Sequence, residues 1–237
     1  MEALSKNKIK WIRSLRLKKN RTAEELFIVE GAKIVNELIE NWPENISCIC
    51  TTTNDINYNG KCYLTDERSM AAISNMQAPQ KIMAVVHMPD LKAQRNDLIL
   101  VLDGIQDPGN MGTIMRTADW FNIDQIVCSK QTVDLYNSKV VQSSMGSIFR
   151  VPVSYQDLTK YLSSSNLPIY GALLKGTNIF EQSFGRKGII VIGNEGNGIS
   201  NELLELIQHP INIPRFGKAE SLNAAVAAGI ILSEFSR

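Results

Sequence analysis

Ile211-Asn-Ile-Pro-Arg-Phe-Gly-Lys-Ala-Glu-Ser-Leu-Asn-Ala-Ala-Val-Ala-Ala-Gly-Ile-Ile-Leu-Ser-Glu-Phe235 is the stretch on which the reading of this chain turns. Its short apolar start, with Ile211 and Ile213, predicts a strand. Pro214 has no N–H to give a ladder and so ends it. A polar loop containing Gly217 follows, and then a helix that opens on Ala224, Ala225, Val226, Ala227, Ala228 and Gly229. So little side-chain bulk lets another backbone or a ligand approach closely. Ser221 is the candidate N-cap, and Asn223 brings an amide to the N–H groups that a helix start leaves open. Taken alone, the stretch also fits an ordinary buried C-terminal helix.

Two strand ends upstream set it apart. Leu98-Ile-Leu-Val-Leu-Asp103 is a continuous apolar run, the pattern of a strand buried on both faces. It empties into Gly-Ile-Gln-Asp-Pro-Gly-Asn-Met-Gly112 and then a helix with Ile114, Met115, Ala118 and Phe121. Asp107, Asn110 and Arg116 are the polar candidates there; a helix cap at Asp107 and a surface ion pair at Arg116 would be the structural alternative. Gly188-Ile-Ile-Val-Ile-Gly-Asn-Glu-Gly-Asn-Gly-Ile-Ser200 is a second apolar strand opening into glycines. Gly193, Gly196 and Gly198 give G-x-x-G-x-G, which is not the dinucleotide fingerprint G-x-G-x-x-G, and no Walker lysine is present. Glu195 sits between these glycines at a strand end, the place where sites form in open α/β sheets.

The rest of the chain reads as alternating strands and helices. Strands are expected at Phe27–Gly31, Ile46–Thr52, Cys62–Leu64, Lys81–His87, Gln125–Ser129, around Val151–Val153 and at Pro168–Leu174, with a turn at Lys175–Gly176. Helices are expected from Ile34 to Trp42, over Val140–Ser147 and from Glu202 to Gln208. The polar segment Asp90–Asp97 marks a boundary, giving domains 1–93 and 94–237.

With 44% hydrophobic and 21% charged residues the composition is that of a soluble globular protein, and no apolar run reaches membrane-spanning length. Charges stand where a signal peptide needs an apolar core. The four cysteines lack paired C-x-x-C spacing and the chain has two histidines, so no metal site is expected and a reducing cytoplasm is. Cys48 and Cys50 alternate, as two thiols on one face of a buried strand would. The net charge of +1 gives no global signal for nucleic acid. Residues 1–22 concentrate Lys6, Lys8, Lys10, Arg13, Arg16, Lys18, Lys19 and Arg21 on an expected amphipathic helix with Ile9, Ile12, Leu15 and Leu17 on one side. That pattern fits either a solvated face or a phosphate-binding surface.

Taken together, Asp107–Phe121, Ile192–Ser200 and Ile213–Ala227 resemble motifs 1, 2 and 3 of the SpoU (TrmH) RNA ribose 2′-O-methyltransferases of the SPOUT superfamily, in order and spacing. Phe27-Ile-Val-Glu-Gly-Ala-Lys-Ile-Val-Asn-Glu-Leu38 is similar to the small substrate-binding domain that many members carry. The resemblance implies an α/β fold: a C-terminal trefoil-knotted methyltransferase domain on a parallel sheet, plus a small N-terminal α/β RNA-binding domain. It implies S-adenosylmethionine as cofactor and a homodimer with a shared site. Carried over, Asn110, Arg116, Glu195, Ser221 and Asn223 are the catalytic set, with Glu195 expected to orient Arg116 or its loop. Leu173, Gly193, Asn194, Glu195, Gly196, Gly198, Ile213, Pro214, Leu222 and Asn223 are the cofactor set. Asn122 stands where the family has Gly, Arg215 where it has Met, and Ala224–Ala225 where it has Val-Ser. The expected substrate is RNA, ribosomal before transfer RNA; a non-catalytic RNA-binding factor with the same fold is the rival.

Overall fold

The basic opening stretch is two helices rather than one. In the computed structural model, which describes residues 2–185 and 187–237, a two-residue strand β1 (Glu2–Ala3) leads to α1 (Lys6–Ser14) and α2 (Lys18–Glu24). Ser5 caps α1 by accepting from the Lys8 N–H. Ile12 and Leu15 are buried as expected, but Leu17 is 55% exposed because the chain turns at that point. Arg21 holds the turn: it is buried, and its Nη1 donates to the main-chain oxygens of Leu15 at 3.0 Å and Arg16 at 2.8 Å. Arg16 in turn donates to the carbonyls of Ala72 and Ser74. Two of the eight cations in this segment therefore satisfy carbonyl oxygens, the use a forked guanidinium suits.

The chain then forms β2 (Leu26–Glu30), α3 (Ala32–Asn41), β3 (Ile46–Thr51), β4 (Cys62–Leu64), α4 (Glu67–Ile73) and β5 (Ile82–His87). Helix α4 was not legible in the sequence; Asp66 caps it, accepting from the Ser69 N–H. The sheet order is β1-β4-β3-β5-β2, with β3–β4 parallel and both neighbours of β5 antiparallel. Cys48 and Cys50 do share a buried face of β3, in the cluster with Ile12, Leu15 and Met83. A hydrogen bond with Cys48, together with burial, pushes the Cys50 thiol up, so it stays protonated. These elements make one compact unit, which runs to Asp90 and includes Tyr136–Gln142; a second holds Leu91–Leu135 and Ser143–Arg237.

The second unit is built on β6 (Leu98–Asp103), followed by α5 (Pro108–Trp120) and β7 (Gln125–Cys128). After α6 (Ser138–Ser144) come β8 (Val153–Tyr155), α7 (Leu158–Ser163), β9 (Ile169–Asn178), β10 (Gly188–Gly193), α8 (Asn201–Leu204), β11 (His209–Asn212) and α9 (Ala224–Phe235). The sheet order is β11-β9-β10-β6-β7-β8, and every pairing is parallel. As the apolar runs require, β6 and β10 are buried on both faces: Leu100, Val101, Leu102, Ile189, Ile190 and Val191 have no exposed surface. One face packs on Leu158 and Leu162 of α7 and Leu203 of α8.

Three expected elements differ. Lys175–Gly176 lies within β9, in an irregular stretch where the pairing with β11 jumps from Gly171 opposite Pro210 to Thr177 opposite Ile211; a Cβ on Gly176 would lie 2.6 Å from the Pro210 carbonyl oxygen, so glycine there serves the close approach of β11. Helix α8 stops at Leu204, short of Gln208, whose N–H donates to the Ile169 carbonyl at the sheet edge. Ile213 lies just past the end of β11.

Candidate active site

From β6 the chain lays down β7 and β8 on one side, and later β10 and β9 on the other. The order reverses between β6 and β10, where Gly193 pairs with Asp103. At such a switch point the loops leaving two adjacent strands part company and open a crevice. The loop after β6 ends at Asp107 and delivers Asn110 in the first turn of α5, and the turn after β10 carries Glu195.

Each loop is shaped by its own residues. Asp107 is the N-cap of α5 and accepts from the Asn110 N–H at 2.8 Å, as the capping alternative requires. The turn after β10 closes by paired hydrogen bonds between Asn194 and Gly198, both 2.9 Å. Gly198 has φ +70°, the left-handed region that favours glycine, and a Cβ on Gly193 would sit 2.2 Å from the Gly198 carbonyl carbon, so position 193 requires glycine. The Asn194 side chain serves the turn: its Nδ2 donates to the Gly104 oxygen at 2.8 Å, and its Oδ1 accepts from the Gly196 and Asn197 N–H groups. Gly196 is exposed at the tip.

The third loop ends at α9, and the cap is Asn223 rather than Ser221. The helix starts at Ala224, and Asn223 Oδ1 accepts from the N–H groups of Ala225 and Val226. Ser221 lies two residues before that and is exposed. Ala224, Ala225 and Ala228 are buried, and a Cβ on Gly229 would stand 3.9 Å from Thr117 Cγ2 on α5, so the small residues do permit close helix packing.

The three loops meet through side chains. Asn110 Nδ2 donates to Glu195 Oε1 at 2.5 Å, and Asn223 Nδ2 donates to Asn110 Oδ1 at 2.9 Å. Asn110 thus spends its donor on one loop and its acceptor on the other, which fixes its amide orientation as well as its place. Arg116 does not join this cluster. It lies six residues along α5, roughly 9 Å of rise and about 120° around the helix from Asn110. It is exposed and, among the described residues, makes no hydrogen bond or ion pair. The surface ion pair considered for it is absent there, and Glu195 orients Asn110 instead of Arg116.

Of the expected cofactor residues, Leu173 lies on β9 two residues past Gly171, the last residue of that strand paired with β10, and Gly193 ends β10. Ile213 and Pro214 are half-buried where β11 ends, and Leu222 is 46% exposed. No hydrogen bond runs from the main chain of residues 214–222 to another main-chain group among the described residues. Apolar side chains beside open backbone groups and an obligate glycine fit a ligand held largely by main-chain contacts. Arg215 Nη1 donates to the Ala219 oxygen at 3.3 Å and so braces this loop. Asn122 has φ +53°, which explains how it stands where the family uses Gly: asparagine tolerates that conformation. Asp103, which accepts from the Ser200 N–H at 2.9 Å, was missed; its signal is an acid closing the apolar run of β6.

An all-parallel sheet with a reversed strand order and three cross-linked loops at its carboxyl edge defines an α/β protein with a polar site at its switch point. Residues 97–233 match the SpoU rRNA methylase family, and residues 6–84 match the MRM3-like substrate-binding domain. The chain belongs to the SpoU rRNA methylase family. It is 34% identical to a 23S rRNA (guanosine(2553)-2′-O)-methyltransferase, RlmP, of Bacillus subtilis, over 98% of this chain and 97% of that one. Among solved structures it resembles a chain from Porphyromonas gingivalis assigned to the TrmH family of RNA methyltransferases, with 36% identity, TM-score 0.85 and 98% of each chain covered. It also resembles an AdoMet-bound rRNA methyltransferase from Sinorhizobium meliloti, with 26% identity and TM-score 0.84 over 99% of this chain and 96% of that one.

Proposed function

We propose that this chain methylates a ribose 2′-hydroxyl of RNA, ribosomal RNA first, using S-adenosylmethionine. The observation that carries the reading is the Glu195–Asn110–Asn223 cluster, which ties all three family loops together at the switch point. The cofactor supplies a methyl group on a sulfonium, already electrophilic. The protein's part is to hold the hydroxyl in line and to stabilise the charge that develops on its oxygen. Gly193, Asn194, Gly196, Gly198, Ile213, Pro214, Leu222 and Leu173 are assigned to the cofactor, with Asn194 acting by shaping the turn. Asn110 and Asn223 fix geometry, Glu195 holds Asn110, and Ser221 offers a hydroxyl at the loop end. A guanidinium offers N–H donors and no acceptor, so the role of Arg116 is to stabilise the developing alkoxide and hold a phosphate, not to accept the proton.

Because Arg116 stands apart from the cluster, farther along α5 and turned away from Asn110, it completes the site of a second copy. Trp120, one helical turn beyond it, is 83% exposed; Phe216, Leu222 and Val226 are 96%, 46% and 51% exposed. Large apolar groups left open on α5, on α9 and in the loop before it support a two-fold dimer. A trefoil knot through the loops after β9, β10 and β11 belongs to the same reading, as does a cytoplasmic location, with four free cysteines. Residues 94–237 are the catalytic domain and residues 1–93 bind RNA. Within the latter, Lys6, Lys10 and Arg13 are exposed at i, i+4 and i+7, one stripe along α1 opposite buried Ile12. Lys8 instead lies over the Trp11 ring, 3.5 Å from its centroid.

The test is transfer of labelled methyl from S-adenosylmethionine into deproteinised ribosomal RNA, followed by alkaline hydrolysis. A 2′-O-methyl leaves an alkali-resistant dinucleotide, the result expected. Label appearing only in mononucleotides, or in no RNA, would overturn the reading.

A further inference from the structure

A cleft of about 560 Å³ opens on the β7–β8 side of the switch point; of the residues assigned above to the cofactor only Asn194 and Gly198 line it, and none of the catalytic set does. Its walls come from the carboxyl ends of β6, β7, β8 and β10, and its size is that of a small-molecule site. The turn Asn194–Gly198 forms part of it: Asn194, Asn197 and Gly198 line the cleft, while Glu195 between them accepts from Asn110. The cleft and the catalytic cluster are therefore joined by a single hydrogen-bonded turn.

We propose that this cleft takes the base of a nucleotide neighbouring the one methylated. The proposal rests on the RNA methyltransferase reading and names a specificity subsite for it. A 2′-hydroxyl occurs on every ribonucleotide, so the reacting group carries no sequence information. Base edges do, and side-chain amides read them because each offers a donor pair and an acceptor. The mouth holds four such amides: Gln106, Gln131, Gln156 and Asn197, all exposed. Gln156 donates to Ser154 Oγ at 3.0 Å; the side chains of Gln106, Gln131 and Asn197 make no hydrogen bond among the described residues.

Charge decides between base and phosphate. Asp103, Asp157 and Glu202 line the cleft against a single cation, Lys130. Asp103 accepts from the Ser200 N–H and Asp157 from the Lys160 N–H, so those two are engaged locally. Glu202 remains opposite in sign to Lys130. Such a wall repels a phosphate and suits an uncharged base that presents N–H donors.

The experiment uses the full chain. The methylated nucleotide is first mapped in transcribed ribosomal RNA. Short RNAs carrying that site are then made with each of the four bases at the positions on either side. The wild-type protein should prefer one base at one of those positions. Gln131→Ala, alone and with Gln106→Ala, should flatten that preference about tenfold by lowering kcat/KM for the preferred RNA. S-adenosylhomocysteine affinity, measured by calorimetry, should stay within about twofold, a readout that also certifies folding. An unchanged preference in both variants, or no neighbour preference in the wild type, would overturn the subsite and leave the methyltransferase reading standing. Loss of S-adenosylhomocysteine affinity would overturn it too, by giving the cleft to the cofactor. Absence of methylation of any RNA by the wild type would instead bring down the reading on which the subsite rests.

Discussion

The start and the middle of α5 treat their polar groups in opposite ways. At the start, Asp107 caps the helix and Asn110 is held from both sides by Glu195 and Asn223. Two turns on, Arg116 reaches solvent with no partner among the described residues. The first arrangement resembles a scaffold: its hydrogen bonds are already made, so its geometry is set before any substrate arrives. The second is a cation open to solvent, free to meet charge from outside. The N-terminal segment divides its cations in the same way. Arg16 and Arg21 are bonded to carbonyl oxygens, whereas Lys6, Lys10 and Arg13 stand exposed in a stripe. What a sequence presents as one basic or polar stretch thus separates into groups that build the protein and groups left open to solvent.

The contrast along α5 predicts the largest effect. Arg116→Ala should lower kcat about 10³-fold, since it removes charge stabilisation needed only as the alkoxide forms. Calorimetry should find S-adenosylhomocysteine affinity changed by no more than a few-fold. Arg116→Lys should also be poor, because a point charge lacks the planar fork. Near-normal turnover in Arg116→Ala would erase the distinction between the two ends of the helix.

Gly193→Ala attacks the scaffold instead. A methyl group 2.2 Å from the Gly198 carbonyl carbon forces the turn open. Overpacking of this kind costs about 1–3 kcal/mol, and S-adenosylhomocysteine affinity should fall at least about tenfold. Unaltered affinity would mean that the turn does not shape the cofactor site.

The two sets of N-terminal cations should part under salt. Replacing Lys6, Lys10 and Arg13 by Ala should reduce the slope of log K for RNA against log salt by roughly 2, at about 0.7 for each phosphate no longer neutralised. Thermal stability should barely change. Arg21→Lys should do the reverse, costing about 1.5–3 kcal/mol of stability because its carbonyl hydrogen bonds are broken, while leaving the salt slope intact. Equal slopes for the two variants would make the stripe an ordinary solvated face.

Much of this was legible in the sequence where a pattern extends over many residues. The apolar runs at Leu98–Asp103 and Gly188–Gly193 announced strands buried on both faces, and the three loops were identifiable from their order. Short elements whose signal is a single cap were not: α4 and α7 each start at one aspartate, Asp66 and Asp157. Gly176 looked like a turn because glycine marks turns and close approaches alike, and only the neighbouring β11 tells them apart. The break between α1 and α2 depends on where Arg21 sends its guanidinium, which helical periodicity does not encode. Within the site, the residue types were legible, but their partners were not. That Glu195 holds Asn110 rather than Arg116 follows from about 120° of helix rotation between two residues of the same motif.

The separation of Arg116 from the cluster makes the shared site the point at which the account is most exposed. Arg116→Ala and Asn110→Ala chains, each inactive alone, can be co-expressed with different affinity tags and the mixed dimers purified. A site that joins Arg116 of one copy to the Glu195–Asn110–Asn223 cluster of the other leaves each mixed dimer with one intact site. Methyl transfer to ribosomal RNA should then return to roughly half the wild-type rate per dimer. Mixed dimers no more active than either parent would contradict the account and place Arg116 in the site of its own chain.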